Sequence, residues 1–577
     1  MPESAHEEAT FDKPSSEKHN DQLGPFWFVP PRRVLSPILF FLCFALYGQI
    51  ARYFQDSLLA GLPDGLWILT DAAMGNFFSY IALFFATMIS LIWFTFFSKA
   101  SWNVRITPVS LIFSMIVLFF IFYKLEQFSG ELVPTFTSRF SKSHDQRLEK
   151  LGTKTQTQVD ENAMLVTSDK DFPQFLGPTR NLVLSGPAIE MDWAAHPPQE
   201  LWRQPLGAGW SGFVVVDNRA FTMEQRGHFE YVSCYSATSG SKPLWSYAHE
   251  SRHYSVMGYV GPRSTPTVFE SKVYALGGSG NFVCLNAVSG ELIWQKDLLG
   301  LFGSTLKTDE KWLLWGRANS PLIVSIEGKN AVVIPAGGPS EDHSVSLVAF
   351  DADTGEIIWQ GGDRKISYAS PGLFSMNGKQ QIISVNEDTI TGHEISTGKE
   401  LWGTDWPGNS STNATCSQAL DVGNNQIFVS KSYGQGARLF EVSNDENGNY
   451  HTKVIWEDIR TLKTKFTNVA IKDGYIYGLS EGMLECVHLQ TGKRQWKQRG
   501  FGHGQLLIVG NALLIMTEEG ELVITETNPD AYTETSRIKA LYSENSPCWN
   551  NLCVYGDLLL VRNAEQAACY RLPTAAQ

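Results

Sequence analysis

One short phrase recurs through the C-terminal two thirds of the chain and constrains its fold more than any other feature. It consists of small or apolar residues, a polar pair that closes on Gly, and a Trp a few positions later. Each copy alternates apolar and polar residues, turns on a Gly that accepts positive φ, and resumes as a strand, so each copy predicts a β-hairpin. The clear copies are CLNAVSGELIW (Cys284–Trp294), AFDADTGEIIW (Ala349–Trp359), GHEISTGKELW (Gly392–Trp402) and CVHLQTGKRQW (Cys486–Trp496).

The spacing of these phrases is that of a β-propeller blade. Looser copies end at Trp245 and Trp456, and the distance between successive Trp residues runs from 40 positions (456 to 496) to 65 positions (294 to 359). This period accommodates four short strands with their turns. A single blade cannot bury its own faces, so neighbouring blades must stack and the ring must close.

The two ends of the repeat region predict how the ring closes. The chain ends in LLLVRNAEQAACYRL, which is three strands of a blade, whereas ELWRQPL (Glu200–Leu206) is a fourth strand with no blade before it. We expect these ends to share one blade. A degenerate blade without the Trp runs from Gly504 to Tyr542. With six units that carry the Trp, the count is eight blades, and seven is the main alternative.

A second region of the chain is predicted to be transmembrane. Three uncharged stretches, Val34–Ala51, Ala72–Ser98 and Ile106–Tyr123, are each at or near the roughly 20 residues that cross a bilayer. We therefore predict three transmembrane helices. The apolar stretch Ser57–Thr70 is broken by a Pro-Asp pair and is interpreted as an interfacial loop; a fourth span there would invert the topology.

Basic residues near the spans predict the orientation. Arg32 and Arg33 precede the first span, and Lys99 and Arg105 lie between the second and the third. By the positive-inside rule the N-terminus is cytoplasmic and the propeller lies beyond the membrane, which in a bacterium means an inner-membrane protein with a periplasmic propeller. The predicted domains are a disordered cytoplasmic tail (1–33), a transmembrane region (34–125), an extracytoplasmic linker (126–170) and the propeller (171–577).

Charge and residue spacing exclude several other classes of function. A net charge of -13 argues against a nucleic-acid partner, which would require a basic face. The sequence has no HxH, HExxH or CxxC spacing, so no metal site is predicted. Four cysteines occupy the same third-strand position in different blades and are interpreted as small core residues, namely Cys234, Cys284, Cys486 and Cys569. A disulfide between Cys548 and Cys553 is an alternative that the sequence leaves undecided, because it requires a tight turn between the two residues.

The repeated phrase resembles that of the PQQ-like (pyrroloquinoline-quinone) β-propeller superfamily, over roughly residues 171 to 573. Within it the chain is most similar to BamB-like repeat proteins, on the segments DFPQFLGPTRN (Asp171–Asn181), EQRG (Glu224–Gly227), GPRSTPTV (Gly261–Val268) and SYASP (Ser367–Pro371). The resemblance implies that the repeated Trp docks each blade on the next. The residues with this implied structural role are Trp245, Trp294, Trp359, Trp402, Trp456 and Trp496.

Two functions from different classes are compatible with this fold. The favoured hypothesis is a membrane-anchored binding or scaffold module for envelope proteins or a small ligand, with no catalytic residue and no cofactor. The alternative is a membrane-bound PQQ-dependent dehydrogenase of alcohols or sugars, which would need PQQ with calcium, a carboxylate base and an aromatic floor. The resemblance implies a vicinal Cys pair in such enzymes, and this sequence has neither that pair nor a C-x-x-C-H haem motif.

A ligand pocket, if one exists, is expected among the first strands and the loops that enter them. Arg beside aromatic residues could hold a carboxylate, a sugar or a quinone. Alternatively, Arg226 and Arg263 satisfy loop carbonyls and carboxylates. Glu224 and Asp363 are the first carboxylates to consider as a base. The candidate ligand-binding residues are Gln225, Arg226, Arg263, Ser264, Trp315, Arg317, Tyr368 and Ser370.

Overall fold

A computed structural model describes residues 29–51, 72–148, 150, 163–340, 343–407, 414–542 and 546–574. The chain forms two compact units, one made of N-terminal helices and one made of the β-rich remainder. Residues 1–28 of the predicted tail and the predicted interfacial loop Ser57–Thr70 lie outside the described residues.

The first unit consists of α1 (Arg32–Ala51), α2 (Ala72–Phe97) and α3 (Trp102–Phe122). The helices α1 and α2 pack together, because Ser79 Oγ donates to the carbonyl of Ala45 at 3.0 Å. Within the described residues, two helices are long and apolar enough to cross a membrane, Ala73–Phe97 and Trp102–Phe122. The helix α1 forms where the first span was predicted but is less apolar, since it begins with Arg32 and Arg33.

The second unit begins with short elements that precede the first complete blade. They are β1 (Tyr123–Phe128), β2 (Pro134–Ser138), α4 (His144–Arg147), β3 (Val183–Leu184) and β4 (Gln199–Pro205).

Eight four-stranded antiparallel blades follow one another around the ring, and the seventh carries β3 as a fifth strand. Blade 1 consists of β5 (Val214–Val216), β6 (Arg219–Arg226), β7 (Phe229–Ser236) and β8 (Gly240–Glu250), and is followed by a small hairpin of β9 (Tyr254–Ser255) and β10 (Tyr259–Val260). Blade 2 consists of β11 (Thr267–Phe269), β12 (Lys272–Leu276), β13 (Asn281–Asn286) and β14 (Leu292–Asp297), and is followed by α5 (Leu298–Leu301) and α6 (Leu306–Trp312). Blade 3 consists of β15 (Leu322–Ile326), β16 (Lys329–Ser340), β17 (His343–Asp351) and β18 (Ile357–Gly361). Blade 4 consists of β19 (Gly372–Met376), β20 (Lys379–Val385), β21 (Thr389–Glu394) and β22 (Glu400–Asp405).

The second half of the ring repeats the pattern. Blade 5 consists of β23 (Leu420–Asp421), β24 (Gln426–Lys431), β25 (Gly436–Asn444) and β26 (Tyr450–Asp458). Blade 6 consists of β27 (Ala470–Lys472), β28 (Tyr475–Ser480), β29 (Met483–His488) and β30 (Arg494–Gln498). Blade 7 consists of β31 (Gln505–Val509), β32 (Ala512–Met516), β33 (Glu521–Glu526) and β34 (Glu534–Lys539). Blade 8 consists of β35 (Cys553–Tyr555), β36 (Leu558–Arg562), β37 (Gln566–Arg571) and the N-terminal β4.

The ring closes as the sequence predicts. The strand β4 pairs antiparallel with β37, and Cys569 lies opposite Trp202. Because the two ends of the repeat region share one sheet, the prediction of eight blades is confirmed and the seven-blade alternative is wrong. In the structure Cys548 and Cys553 both carry free thiols.

The contact between neighbouring blades explains why Gly and Trp recur together. Trp245 of blade 1 donates from Nε1 to the carbonyl of Ala287 in blade 2 at 3.0 Å, and its ring lies over Gly290. A Cβ on Gly290 would lie 2.6 Å from that ring, and Gly290 also has φ +78°. The turn therefore requires Gly both for its backbone conformation and for the Trp of the preceding blade. The indoles of Trp202, Trp294, Trp359, Trp456 and Trp496 also donate to a carbonyl of the next blade, whereas that of Trp402 donates to Gln381 within its own blade.

At the axis, consecutive blades are joined by hydrogen bonds from backbone amides to side chains. Gly212 N donates to Thr265 Oγ1 at 2.9 Å, and Thr265 N donates to Ser320 Oγ at 3.0 Å. Ser320 N donates in turn to Ser370 Oγ at 2.8 Å. These bonds hold the first strands of blades 1 to 4 at fixed spacing around the centre of the ring.

A segment before the ring enters the axis from one face. We call Asp171–Leu184 the plug. It contacts blades on both sides of the axis: Arg180 Nη1 donates to the carbonyl of Pro321, at the entry to blade 3, at 3.1 Å, and β3 pairs in parallel with β31 of blade 7, four blades away. Phe172 also bridges to Val215 in blade 1. Just before the plug, the chain contacts the turns between first and second strands, since Leu165 N donates to Ser271 Oγ. The plug therefore enters from the face that carries those turns.

A second segment crosses the opposite face, which carries the loops that enter the first strands. We call Tyr123–Arg147 the strap; it contains the β1–β2 hairpin and α4. Phe128 N donates to the carbonyl of Val256, in the loop between blades 1 and 2, at 3.0 Å. Lys465, in the loop between blades 5 and 6, donates from Nζ to the carbonyl of Gly130 at 3.0 Å. Because these loops lie four blades apart, the strap spans the mouth of the ring. Residues 126–147 of the predicted linker thus form ordered elements.

Candidate functional site: an axial chamber

A chamber of about 110 Å³ lies at the axis of the ring, near the plug. Its apolar lining consists of Phe175, Trp210, Met257, Ala318, Phe466 and Trp549. Its polar lining includes Arg263, Trp315, Tyr368, Cys416, Asn468 and Asn551. Among the described residues that line it, none is Asp or Glu.

Three of the residues predicted to bind a ligand come together in this chamber. Arg263, Trp315 and Tyr368 all line it, although they belong to the loops that enter blades 2, 3 and 4. The rings of Trp315 and Tyr368 lie with centroids 4.9 Å apart, and Trp315 N donates to the Tyr368 hydroxyl at 3.3 Å. The loops that enter neighbouring first strands converge on the axis, which is why residues about 50 positions apart meet here.

Arg226 lies elsewhere, in a buried ion pair with Glu224. The distance from Arg226 Nε to Glu224 Oε2 is 2.9 Å, and the Glu224 carboxylate also accepts from Tyr235 and Ser233. Burial opposes ionisation of Glu224, but the Arg226 charge and these hydrogen bonds outweigh it and hold the pKa of Glu224 below its usual value. The pair is a satisfied structural network.

The remaining candidates also have partners within the ring or lie away from the chamber. Arg317 is buried and forms a bidentate pair with Asp309, with N–O distances of 2.9 and 3.0 Å. Gln225 Nε2 donates to the carbonyl of Ser251 at 2.7 Å. Ser370 belongs to the hydrogen bonds that join the blades. The hydroxyl of Ser264 is buried without a hydrogen-bond partner among the described residues.

The two carboxylates considered as a base do not reach the chamber. Glu224 is engaged with Arg226, as described above. The side chain of Asp363 is 86% exposed and lies 3.4 Å from Arg364 on the surface. Neither residue lines the chamber, so the structure brings no carboxylate of the described lining together with Arg263.

Arg263 is held by the backbone. Nη1 donates to the carbonyl of Gly261 at 2.8 Å, and Nη2 donates to the carbonyls of Gly258 and Tyr259. No ion pair joins Arg263 to a carboxylate within the described part of the chain. Burial lowers the pKa of Arg263 to about 10, although Tyr368, Cys416 and Glu230 act in the opposite direction.

Two further ionisable groups lie close enough to Arg263 to interact with it electrostatically. Glu230 is 3% exposed and accepts from Gly278 N at 3.1 Å, and burial raises its pKa to about 7. Burial, with the Arg263 charge, lowers the pKa of His253 to about 3, so this imidazole is neutral at physiological pH. Because Glu230 lies beyond ion-pair distance of Arg263, the guanidinium faces the chamber without a neutralising partner.

The aromatic walls were not predicted from the sequence. Trp549 packs on both sides, with ring centroids 4.8 Å from Trp210 and 4.6 Å from Phe466. These residues lie in the loops that enter blades 8, 1 and 6, so they occupy the same kind of position as Arg263 and Trp315. A search of every such loop for aromatic residues, rather than of the Arg-containing loops alone, would have found them.

Comparison with known proteins supports the family resemblance. Residues 228–498 match the sequence model of the family described as outer membrane protein assembly factor BamB. The outer membrane protein assembly factor BamB of Shewanella oneidensis is 23% identical over 275 residues, which is 45% of this chain. The match covers 62% of that relative, so the chain spans less than two thirds of its length.

Solved structures of similar topology include a BamB protein and a quinohemoprotein dehydrogenase. BamB from Moraxella catarrhalis matches 65% of this chain and 100% of its own, with 13% identity and a TM-score of 0.44. A quinohemoprotein alcohol dehydrogenase from Comamonas testosteroni matches 71% of this chain and 81% of its own, with 13% identity and a TM-score of 0.48. The β-rich unit is a closed eight-bladed propeller, and in its repeat and in residues 228–498 it is similar to PQQ-like β-propellers of the BamB-like kind.

Proposed function

We propose that this chain is a membrane-anchored scaffold whose propeller binds envelope proteins. Support comes first from the sequence relative, which is named as an outer membrane protein assembly factor. The observation that carries the proposal is that the chain itself covers the axis from both faces, with the plug on one and the strap on the other. The outer rim of the ring is then the surface best placed for a large partner.

The rim of blades 2 and 3 has the character of a docking surface. Leu292 and Ile293 in β14 and Ile357 and Ile358 in β18 occupy equivalent positions just before the repeated Trp, and each is 39% to 42% exposed. They lie on fourth strands, whose outer edge has no further strand of the ring beside it. Exposed apolar side chains on a strand edge favour an extended apolar segment of a partner protein.

The test is site-specific photo-crosslinking of the full chain in intact cells, with the crosslinker at Ile293 or Ile358. Gln495 is the matched control, because it occupies the position equivalent to Ile293 on blade 6 and is exposed but polar. We expect both rim positions to trap the same envelope protein and the control to trap none. Equal labelling at all three positions, or none at any, would contradict the rim as the docking surface.

We also propose that α1, α2 and α3 all span the bacterial inner membrane, with the N-terminus cytoplasmic and the propeller periplasmic. Two of these helices are apolar throughout the required length. The helix ends that we assign to the cytoplasm are those with basic residues beside them, namely Arg32, Arg33, Lys99 and Arg105. Protease added to intact spheroplasts should digest the propeller. Protection of the propeller until the membrane is permeabilised would reverse this topology.

The second candidate is the PQQ-dependent dehydrogenase, whose cofactor would occupy the axis. The aromatic walls and Arg263 favour it, but the donor set does not fit calcium, which prefers carboxylate and carbonyl oxygens: no Asp or Glu is present in the described lining. The chamber of about 110 Å³ is also smaller than a tricyclic cofactor requires, since a cavity of about 150 Å³ holds one benzene ring. Purified full chain incubated with PQQ, calcium and an alcohol or sugar panel should not reduce an artificial acceptor; turnover would establish the enzyme.

A further inference from the structure

The axial chamber holds a cation that no described carboxylate neutralises. Arg263 donates to three backbone carbonyls, those of Gly258, Tyr259 and Gly261. A guanidinium has five N–H donors, so two remain for another partner. Arg263 is half-buried, and a charge withdrawn from water without a counter-ion is costly, so an anion bound in the chamber would relieve that cost.

A second cation, Lys431, is buried and likewise forms no ion pair within the described part of the chain. Lys431 is 3% exposed and donates from Nζ to the backbone carbonyls of Glu387 at 2.9 Å and Trp406 at 3.4 Å. Burial lowers the pKa of Lys431 to about 8, although Cys416, Glu387 and Asp388 act in the opposite direction. Lys431 and Arg263 both act electrostatically on the thiol of Cys416, which lines the chamber. The electrostatic field at this side of the chamber therefore favours a negative ligand.

The neutral polar groups of the chamber add hydrogen-bond donors. Trp315 Nε1 is buried and has no hydrogen-bond partner among the residues that the structure describes. The Tyr368 hydroxyl accepts from Trp315 N, which leaves its own proton available. Together with Arg263, these groups form a donor set suited to carboxylate oxygens.

The aromatic walls and the volume of the chamber determine which apolar part of a ligand fits. Trp210, Trp549 and Phe466 form a continuous aromatic surface, with successive centroids 4.8 and 4.6 Å apart. Flat apolar groups pack well on such faces. The volume of about 110 Å³ is of the order of the roughly 150 Å³ that holds one benzene ring. The size of the chamber therefore favours a ligand with one ring over a fused tricyclic one.

We propose that the axial chamber is a binding site for a small organic carboxylate built on a single flat ring, with Arg263 holding the carboxylate and Trp210, Phe466 and Trp549 packing on the ring. This site is independent of the partner-binding role of the rim, so either proposal can fail alone. The plug and the strap place it inside the ring, out of reach of a protein partner.

The test is calorimetric titration of the purified full chain in detergent with benzoate and phenylacetate, and with benzamide as the uncharged counterpart of benzoate. We expect saturable binding of a carboxylate and at least tenfold weaker binding of benzamide. Arg263→Gln should weaken carboxylate binding by about 10- to 100-fold, as for loss of a charged hydrogen-bond partner. Arg364→Gln is the control, because Arg364 is a half-exposed surface residue outside the chamber, and it should leave binding unchanged.

Arg263 also holds the loop that carries Gly258, so Arg263→Gln could weaken binding by disturbing that loop. A second variant separates the two effects. Ala318→Leu leaves Arg263 in place and fills part of the chamber, so it should abolish binding of the same probes. Absence of saturable binding by both carboxylates would overturn the proposal. Equal affinity for benzoate and benzamide would do the same, as would binding that survives Ala318→Leu. Rim crosslinking to an envelope protein is expected to persist in both variants.

Discussion

Asp145 in the strap and Arg252 in the loop after blade 1 form an ion pair with an Oδ2–Nη1 distance of 2.5 Å, and the Asp145 carboxylate is fully buried. Arg252 also donates to the carbonyl of Gly227, and Gly227 N donates to the carbonyl of Asp145 at 3.1 Å. The pair therefore anchors the strap on blade 1. Since α3 ends at Phe122 and the strap begins at Tyr123, the segment that directly follows α3 belongs to the β-rich unit.

Asp145→Asn should loosen the strap. Removing one partner of a fully buried ion pair costs about 3–5 kcal/mol, and the side chain of Arg252 is 22% exposed, so we expect a local loss below that range. Hydrogen exchange of residues 123–147 should accelerate while the blades stay protected. Asp363→Asn, which removes an exposed ion pair, is the control and should change nothing. Unaltered exchange of the strap in Asp145→Asn would show that the pair does not anchor it.

Gly290→Ala should destabilise the ring more than Gly328→Ala. Both glycines have positive φ, +78° and +81°, so both substitutions incur the left-handed backbone cost of about 1–2 kcal/mol. Only at Gly290 would the new Cβ meet the Trp245 ring, whereas nothing lies within 4 Å of a Cβ at Gly328. Overpacking adds about 1–3 kcal/mol, which should appear as a lower denaturant midpoint. Equal midpoints for the two variants would show that Gly290 is required only for its positive φ and not for the space that the Trp245 ring occupies.

Glu230 should make the stability of the ring depend on pH. Its pKa rises from an ordinary 4.5 in the unfolded chain to about 7 in the fold, because the carboxyl is buried. The folded state binds the extra proton, so this contribution is complete below pH 4.5 and is lost as the pH rises through 7. Glu230→Gln keeps an acceptor for Gly278 N and removes the charge. Relative to the unsubstituted protein, it should be more stable by about 1–3 kcal/mol at pH 8 and nearly equal at pH 4.5. A stability difference that is the same at both pH values would contradict this assignment.

The sequence predicts the ring well because its structure depends on a local repeat. The Gly and Trp of each phrase are separated by a few residues, and the incomplete units at the two ends complement each other, as the pairing of Cys569 with Trp202 shows. The plug and the strap have no such pattern. Their contacts, such as Phe172 with Val215 or Lys465 with Gly130, join segments distant in sequence through backbone groups that every residue possesses.

The candidate site is predictable only in part. The sequence indicates Arg263, Trp315 and Tyr368 because the loops that enter the first strands must converge at the axis. The expectation that Arg226 binds a ligand is wrong, because it pairs with Glu224. The sequence does indicate this partner, since Glu224 lies two positions away on the same strand and hence on the same face. The partner of Arg317 is Asp309, which α6 and the following turn bring close, and no strand periodicity indicates that contact.

Closure of the ring is the claim on which the plug, the chamber and the rim all depend, and an engineered disulfide tests it most directly. Gln204 in β4 and Ala567 in β37 are directly opposed in neighbouring antiparallel strands, where Cα atoms lie about 4.5–5.5 Å apart, within the range of a disulfide. Oxidation of the double variant Gln204→Cys, Ala567→Cys should form a bond that keeps the N- and C-terminal parts of the propeller linked after the chain is cleaved between blades. The pair Gln204→Cys, Gln498→Cys, which places the second thiol on blade 6, should not form one. Failure of the first pair to bond while the protein remains folded would contradict a closed eight-bladed ring.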